Sequence, residues 1–226
     1  YKRAIILGSK QTFGKGTVQN VIDLNRIISG GTHGDLGAVK LTTDKFYRIN
    51  GGSTQLEGVR SDIILKNQYS YIEMGEKDQE NPLAWDRIEP APFTKWENQT
   101  NYDYALNKSA IRLKEHPYIQ LVDQQARRIE DQQDDYVYTL NYKDYLAEQE
   151  TNKKISDEFS VLKDYKSDLT FEWLQDSGVP VDEVVKERKK RWIEGLEKDF
   201  YISEAVSILE DLNINLENYP VAQIKK

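Results

Sequence analysis

Two hydrophobic periods divide the chain. Up to about Lys66, apolar residues sit on alternate positions: Val18, Ile22 and Leu24, then Val39 and Leu41, with Phe46-Tyr47-Arg48-Ile49 continuing the strand-like composition. Arg3 to Leu7 form an unbroken apolar-ended run that reads as a buried strand of the parallel type. Gly30-Gly31 and His33-Gly34 mark a loop, Gly51-Gly52 a turn, and Asp62-Ile63-Ile64-Leu65 a last short strand. From about Tyr102 the period becomes helical. Ile119, Val122, Ala126 and Ile129 recur at three- and four-residue steps. Asn141, with Asp144 three residues on and Leu140 before it, reads as a helix start. Gly178 and Pro180 separate the next two helical runs, and Asp182 opens a strongly charged one. Ser203 is the expected cap of a final helix with Ile202, Val206 and Leu209 inward and Asn213 near its end. Between the two regions, Pro82, Pro90 and Pro92 exclude long helices while Trp85, Phe93 and Trp96 supply anchors, as in an ordered connector. The expected fold class is therefore α/β, β-rich over residues 1–66, with a connector over 67–101 and an all-α domain over 102–226.

Composition agrees with half-wet helices. The 226 residues are 38% hydrophobic and 31% charged, and the mean hydropathy is -0.73. A net charge of -7 argues against nucleic acid as a partner, since phosphate binding needs a basic field. The absence of cysteine excludes disulfides and thiolate metal sites, and with only His33 and His116 a histidine-rich metal site is not expected. No apolar run approaches the roughly 20 residues that span a bilayer. The chain opens with no initiator Met and a strand of a type that needs neighbours on both sides, so it reads as part of a longer protein whose targeting segment would lie upstream.

The stretch TFGKGTVQ, Thr12 to Gln19, holds a lysine between two glycines. A nucleotide-binding phosphate loop needs Ser or Thr after Gly-Lys and a glycine five residues before the lysine's own; here Gly16 follows Lys15, and Gly8 is out of place. On spacing alone the reading is a turn with a solvated lysine. The wider context changes that. AIILGSKQTFGKGTVQ closely resembles the tail-specific, or C-terminal processing, proteases, serine peptidases with a Ser–Lys dyad. The likeness continues through AVKLTTDKFYRINGGSTQLEGVRSDII, GEKDQENPLAWDRI and YISEAVSILEDL, the last two pointing to the long branch with a helical C-terminal domain.

The resemblance implies that Lys15 is the general base and that Gln19 holds it. A serine hydroxyl attacks a peptide carbonyl only if its proton is taken. A lysine does this once neutral; lowering a reference pKa of about 10.4 to roughly 7.5 costs about 4 kcal/mol, which burial supplies. Gly14 and Gly16 permit a tight turn and close backbone approach. Gln19 is neutral and orients an amine without pinning it as an ion pair. Fully extended, residues 15 and 19 would stand about 13 Å apart at Cα, so a bend is expected at Gly16.

The same resemblance implies a crotonase-like core for the β-rich part, an upstream PDZ domain, a periplasmic or cell-envelope location and no cofactor. Its substrates are unfolded or tagged proteins recognised by their C-termini. The family nucleophile lies upstream of the lysine. Ser9 follows the strand too closely, and Ser53 in Gly-Ser-Thr-Gln fits a supporting role, so this chain alone is expected to be inactive. KERKKR, Lys186 to Arg191, reads as a solvated helix face. Two alternatives remain: a non-catalytic helical module docking an adaptor or substrate, and a pseudoprotease, against which Lys15 and Gln19 count. An incomplete sheet edge also invites self-association.

Overall fold

The computed structural model describes residues 1, 3–28, 34–96, 101–133, 135–173 and 182–213. The Gly178–Pro180 break and most of the residue 30–34 loop lie outside them. The chain is mixed α/β with a helical C-terminal part, and it forms two compact units.

The first unit comprises residues 1–3, 10–61 and 73–96. Strands β2 (Thr17–Asp23) and β3 (Ala38–Lys45) pair antiparallel, Thr17 opposite Lys45 and Asp23 opposite Ala38, with a register shift between Val18 and Gln19. Asp23 ends the strand and caps the short helix α1 (Leu24–Ile27), accepting from Asn25 N–H at 3.0 Å. The alternation seen in the sequence marks strands, yet Val18, Val21, Val39 and Leu41 are exposed. What this unit buries is polar: Thr17, Ser53, Thr54 and Gln55. The proline-rich stretch is ordered against it. Ile88 N–H donates to Gly51 O at 2.8 Å, Trp85 Nε1 to Ser53 O at 2.9 Å, and Phe93 meets Tyr1 edge-on at 5.7 Å. Gly51 has φ of 79°, and a Cβ there would stand 2.1 Å from Ile88 O, so the turn admits no side chain.

The second unit comprises residues 4–9, 62–72 and the rest of the chain from 97. It is built around a parallel pair, β1 (Leu7–Gly8) and β4 (Ile63–Ile64). The pairing is parallel as expected, but the strand is two residues long, starts at Leu7 rather than Arg3, and is only half-buried. One face explains this: Ile5 and Leu7 pack inward while Ile6 and Ile64 stay exposed. Helices α2 (Tyr102–Glu115), α3 (Pro117–Gln133), α4 (Tyr142–Phe159), α5 (Glu183–Glu197) and α6 (Phe200–Leu212) follow. Ile63, Ala105 and Ile208 form one buried cluster; Leu65, Ile119 and Phe200 form another, and Leu7 and Leu113 touch both. Helices α2, α3 and α6 thus cover one face of the strand pair.

Local signals behave as their chemistry requires, with two corrections in the last helix. Ile119, Val122 and Ala126 form the buried stripe of α3, and Asn141 caps α4, accepting from Lys143 N–H at 3.0 Å. The last helix, however, is capped by Asp199, which accepts from Tyr201 and Ile202 N–H; Ser203 lies inside it. Its buried residues are Phe200, Glu204 and Ile208, while Leu209 is exposed. Glu204 sits inward because Arg112 of α2 reaches it at 2.7 Å.

Candidate active site

Lys15 and Gln19 flank the start of β2. The ammonium Nζ donates to Gln19 Oε1 at 2.5 Å, and Gln19 Nε2 lies 3.5 Å from Thr42 Oγ1 across the hairpin. The β2–β3 ladder skips Thr43 between the Val18–Asp44 and Gln19–Thr42 pairs, so the extra residue lies on β3, beside the Gln19–Thr42 contact.

The backbone beneath the lysine is pinned on both sides of the residue. Gly14 O accepts from Leu56 N–H at 2.7 Å, Lys15 O from Thr54 Oγ1 at 3.4 Å, and Gly16 O from Phe46 N–H at 3.1 Å. Gly16 N–H donates to Gln55 Oε1 at 2.9 Å. The Gln55 side chain is fully buried, and its amide nitrogen donates onward to Leu83 O at 3.0 Å and Glu76 Oε1 at 3.2 Å. Both glycines are explained by this contact. A Cβ on Gly14, which has φ of 92°, would stand 2.8 Å from Leu56 O; one on Gly16 would stand 2.5 Å from Gln55 N. Leu56 itself has φ of 63°, a strained value for a branched residue, and its N–H is the one that holds Gly14. The glycines therefore make room for the Ser53–Gly58 turn, the Gly-Ser-Thr-Gln segment of the sequence.

Ser53 has the supporting position expected for it. It is buried, and its Oγ accepts from Gln55 N–H at 3.0 Å. Gln55 was not anticipated by sequence reasoning. Its signal was position alone: a glutamine in a turn, with its three partners 39, 28 and 21 residues away. Lys15 is exposed among the described residues, so the burial a neutral lysine calls for is not supplied by them.

Residues 69–213 match the family described as the C-terminal domain of tail-specific protease. The chain belongs to the tail-specific protease family. Residues 1–65 match the peptidase family S41, so Lys15, Gln19, Gln55 and both strand pairs fall in the peptidase part. The chain is similar to the tail-specific protease of Haemophilus influenzae, at 34% identity over 221 residues, covering 95% of this chain and 29% of that protein. It is similar also to a carboxy-terminal-processing protease of Bartonella bacilliformis, at 39% over 66 residues, covering 29% of this chain and 13% of that one. The chain thus spans less than a third of the length of these tail-specific and carboxy-terminal-processing relatives. In the second unit, strands from the peptidase match and helices from the C-terminal-domain match share one core.

Proposed function

We propose that this chain supplies the general base and the helical C-terminal domain of a serine endopeptidase that acts on proteins recognised by their C-terminal tails. The observation that carries the reading is the Lys15 Nζ to Gln19 Oε1 hydrogen bond of 2.5 Å on a backbone pinned at Gly14, Lys15 and Gly16. Such pinning fixes a lysine head for proton transfer better than a solvated turn would. In the whole protein, a serine hydroxyl from residues outside this chain approaches Lys15. The neutral amine takes the Oγ proton as Oγ bonds to the scissile carbonyl carbon. The ammonium then returns that proton to the departing amine, leaving an acyl-enzyme that water hydrolyses by the same exchange.

The core is then crotonase-like, the location periplasmic, and the substrates unfolded or tagged proteins with apolar tails. No cofactor takes part, and this chain by itself is inactive because it lacks the nucleophile. The helical domain offers surface for an adaptor. The test uses the full-length protein and an unfolded substrate with an apolar C-terminus. Lys15→Arg keeps the charge but not the proton acceptor, and is expected to abolish cleavage. Gln19→Leu removes the orienting partner and is expected to lower kcat by about tenfold or more with little change in KM. Wild-type rates in a folded Lys15→Arg protein would reject the dyad.

A further inference from the structure

The stretch GEKDQENPLAWDRI, Gly75 to Ile88, lies in the part of the chain that matches the C-terminal-domain family, yet it folds into the first unit and backs the lysine loop. It opens with a short turn, Glu76–Asp78, closed by Gly75 N–H donating to Asp78 Oδ2 at 2.7 Å and Asp78 N–H donating to Gly75 O at 3.1 Å. The turn presents Glu76 to both flanks of Lys15. Ahead of the lysine, Glu76 N–H donates to Phe13 O at 2.8 Å. Beyond it, Glu76 Oε1 accepts from Gln55 Nε2 at 3.2 Å, and Gln55 Oε1 accepts from Gly16 N–H at 2.9 Å. Further along the same stretch, Leu83 O accepts from Gln55 Nε2 at 3.0 Å, and Trp85 Nε1 donates to Ser53 O.

The chemistry of the buried Gln55 amide gives this wall a task. A side-chain amide has a donor end and an acceptor end of nearly equal shape, and its partners decide which way it faces. Gly16 N–H needs the acceptor end. Glu76 Oε1 and Leu83 O, both acceptors, hold the donor end. Without the Glu76 carboxylate a single carbonyl orients the amide, and a reversed amide would set donor against donor at Gly16, leaving a buried N–H unmet. Phe13 and Gly16 bracket Lys15, so a shift of either carries the Nζ with it. A displacement of about 1 Å in a reacting group costs about 10²-fold in rate. We infer that Glu76, acting through Gln55, is a positioning residue for the Lys15 amine, and that the first segment of the C-terminal-domain match thereby completes the support of the base. The inference rests on the reading of Lys15 as the base.

The test measures kcat and KM of full-length variants on an unfolded substrate with an apolar C-terminus, with urea unfolding of each variant alongside. Glu76→Ala is expected to lower kcat about tenfold with KM held within about twofold. Glu76→Gln, whose amide oxygen accepts the same bond, is expected to recover most of that loss. Gln55→Met is expected to lower kcat by about 10²-fold. Glu73→Ala is the control: it removes an exposed carboxylate paired with Lys77 at 3.6 Å and is expected to keep the wild-type rate. Glu76 is only half-buried, so its variants keep the test decisive even if Gln55→Met disturbs folding. A merely structural role would lower the unfolding midpoint and leave kcat of the folded protein alone. Wild-type kcat in Glu76→Ala, a loss carried by KM instead, or no recovery in Glu76→Gln would overturn the inference while Lys15→Arg stays inactive. Wild-type rates in Lys15→Arg would remove the base and this role together.

Discussion

Adding one methyl group at Gly16 and at Gly195 is the same chemical change with opposite expected signs. At Gly16 the new Cβ would stand 2.5 Å from Gln55 N, 2.7 Å from Ser53 Oγ and 3.0 Å from Gln55 Cα. Carbon contacts settle at about 3.5 Å, so the two segments must part by about 1 Å. Gln55 cannot yield cheaply, because its buried side chain is held by Gly16, Leu83 and Glu76. Parting breaks the 2.9 Å bond from Gly16 N–H and strains the 3.1 Å bond to its carbonyl. Overpacking costs about 1–3 kcal/mol and an orphaned buried N–H a similar amount, giving about 3 kcal/mol for Gly16→Ala. Gly195 lies inside α5 with no heavy atom within 4 Å of the added Cβ. Gly195→Ala therefore stabilises its helix by about 0.5–1 kcal/mol. The assay is hydrogen exchange read by mass spectrometry over residues 10–60 and 183–197, which reports each unit by itself. Protection over residues 10–60 unchanged to within about 0.5 kcal/mol in Gly16→Ala would contradict the clash with Gln55, and loss of protection in Gly195→Ala would contradict the open space at Gly195.

The helical unit offers two further tests. Arg112 bonds Glu204 at 2.7 Å and Asp211 at 2.5 Å, and the Glu204 side chain is only 5% exposed. Arg112→Met leaves a buried carboxylate uncompensated and is expected to cost about 3–5 kcal/mol in urea unfolding followed by circular dichroism, most of it recovered by adding Glu204→Leu. Burial pushes the Asp123 carboxyl up, but hydrogen bonds from Lys66, Tyr71 and Arg127 outweigh it and hold the group at about 2, below its ordinary 3.8. Because the folded value is the lower one, this stabilisation of about 2 kcal/mol is fully present above about pH 4 and is lost as pH falls toward 2. Asp123→Asn should lose that amount at neutral pH and flatten the acid limb of a stability–pH curve.

Elements set by local chemistry were legible in the residues. The α3 stripe, the Asn141 cap and the Gly51 turn each depend on neighbours within a few positions, whereas the pairing of Lys15 with Gln19 followed from the family likeness of TFGKGTVQ, spacing alone giving a solvated lysine. What escaped depends on distant partners. Ser203 is as good a cap by composition as Asp199, and only the start of the helix at Phe200 chooses between them. Glu204 breaks the apolar stripe of α6 because its partner is 92 residues away. The shortness of β1 reflects one-sided packing, which an apolar run does not report. Gln55 carries no periodicity at all, and its importance appears only when the Gly14–Gly16 backbone lies against it.

Proton transfer by Lys15 is tested by the cleavage rate of full-length Lys15→Ala, measured with and without ethylamine after its fold has been checked. Lys15 is exposed among the described residues, so the vacated position is open to a small amine in that part of the chain. Catalysis by Lys15 gives a loss of about 10²–10⁴ in kcat and a partial, saturable recovery by the amine that Lys15→Arg does not show. Cleavage at the wild-type rate without any amine would contradict it and leave TFGKGTVQ a structural turn.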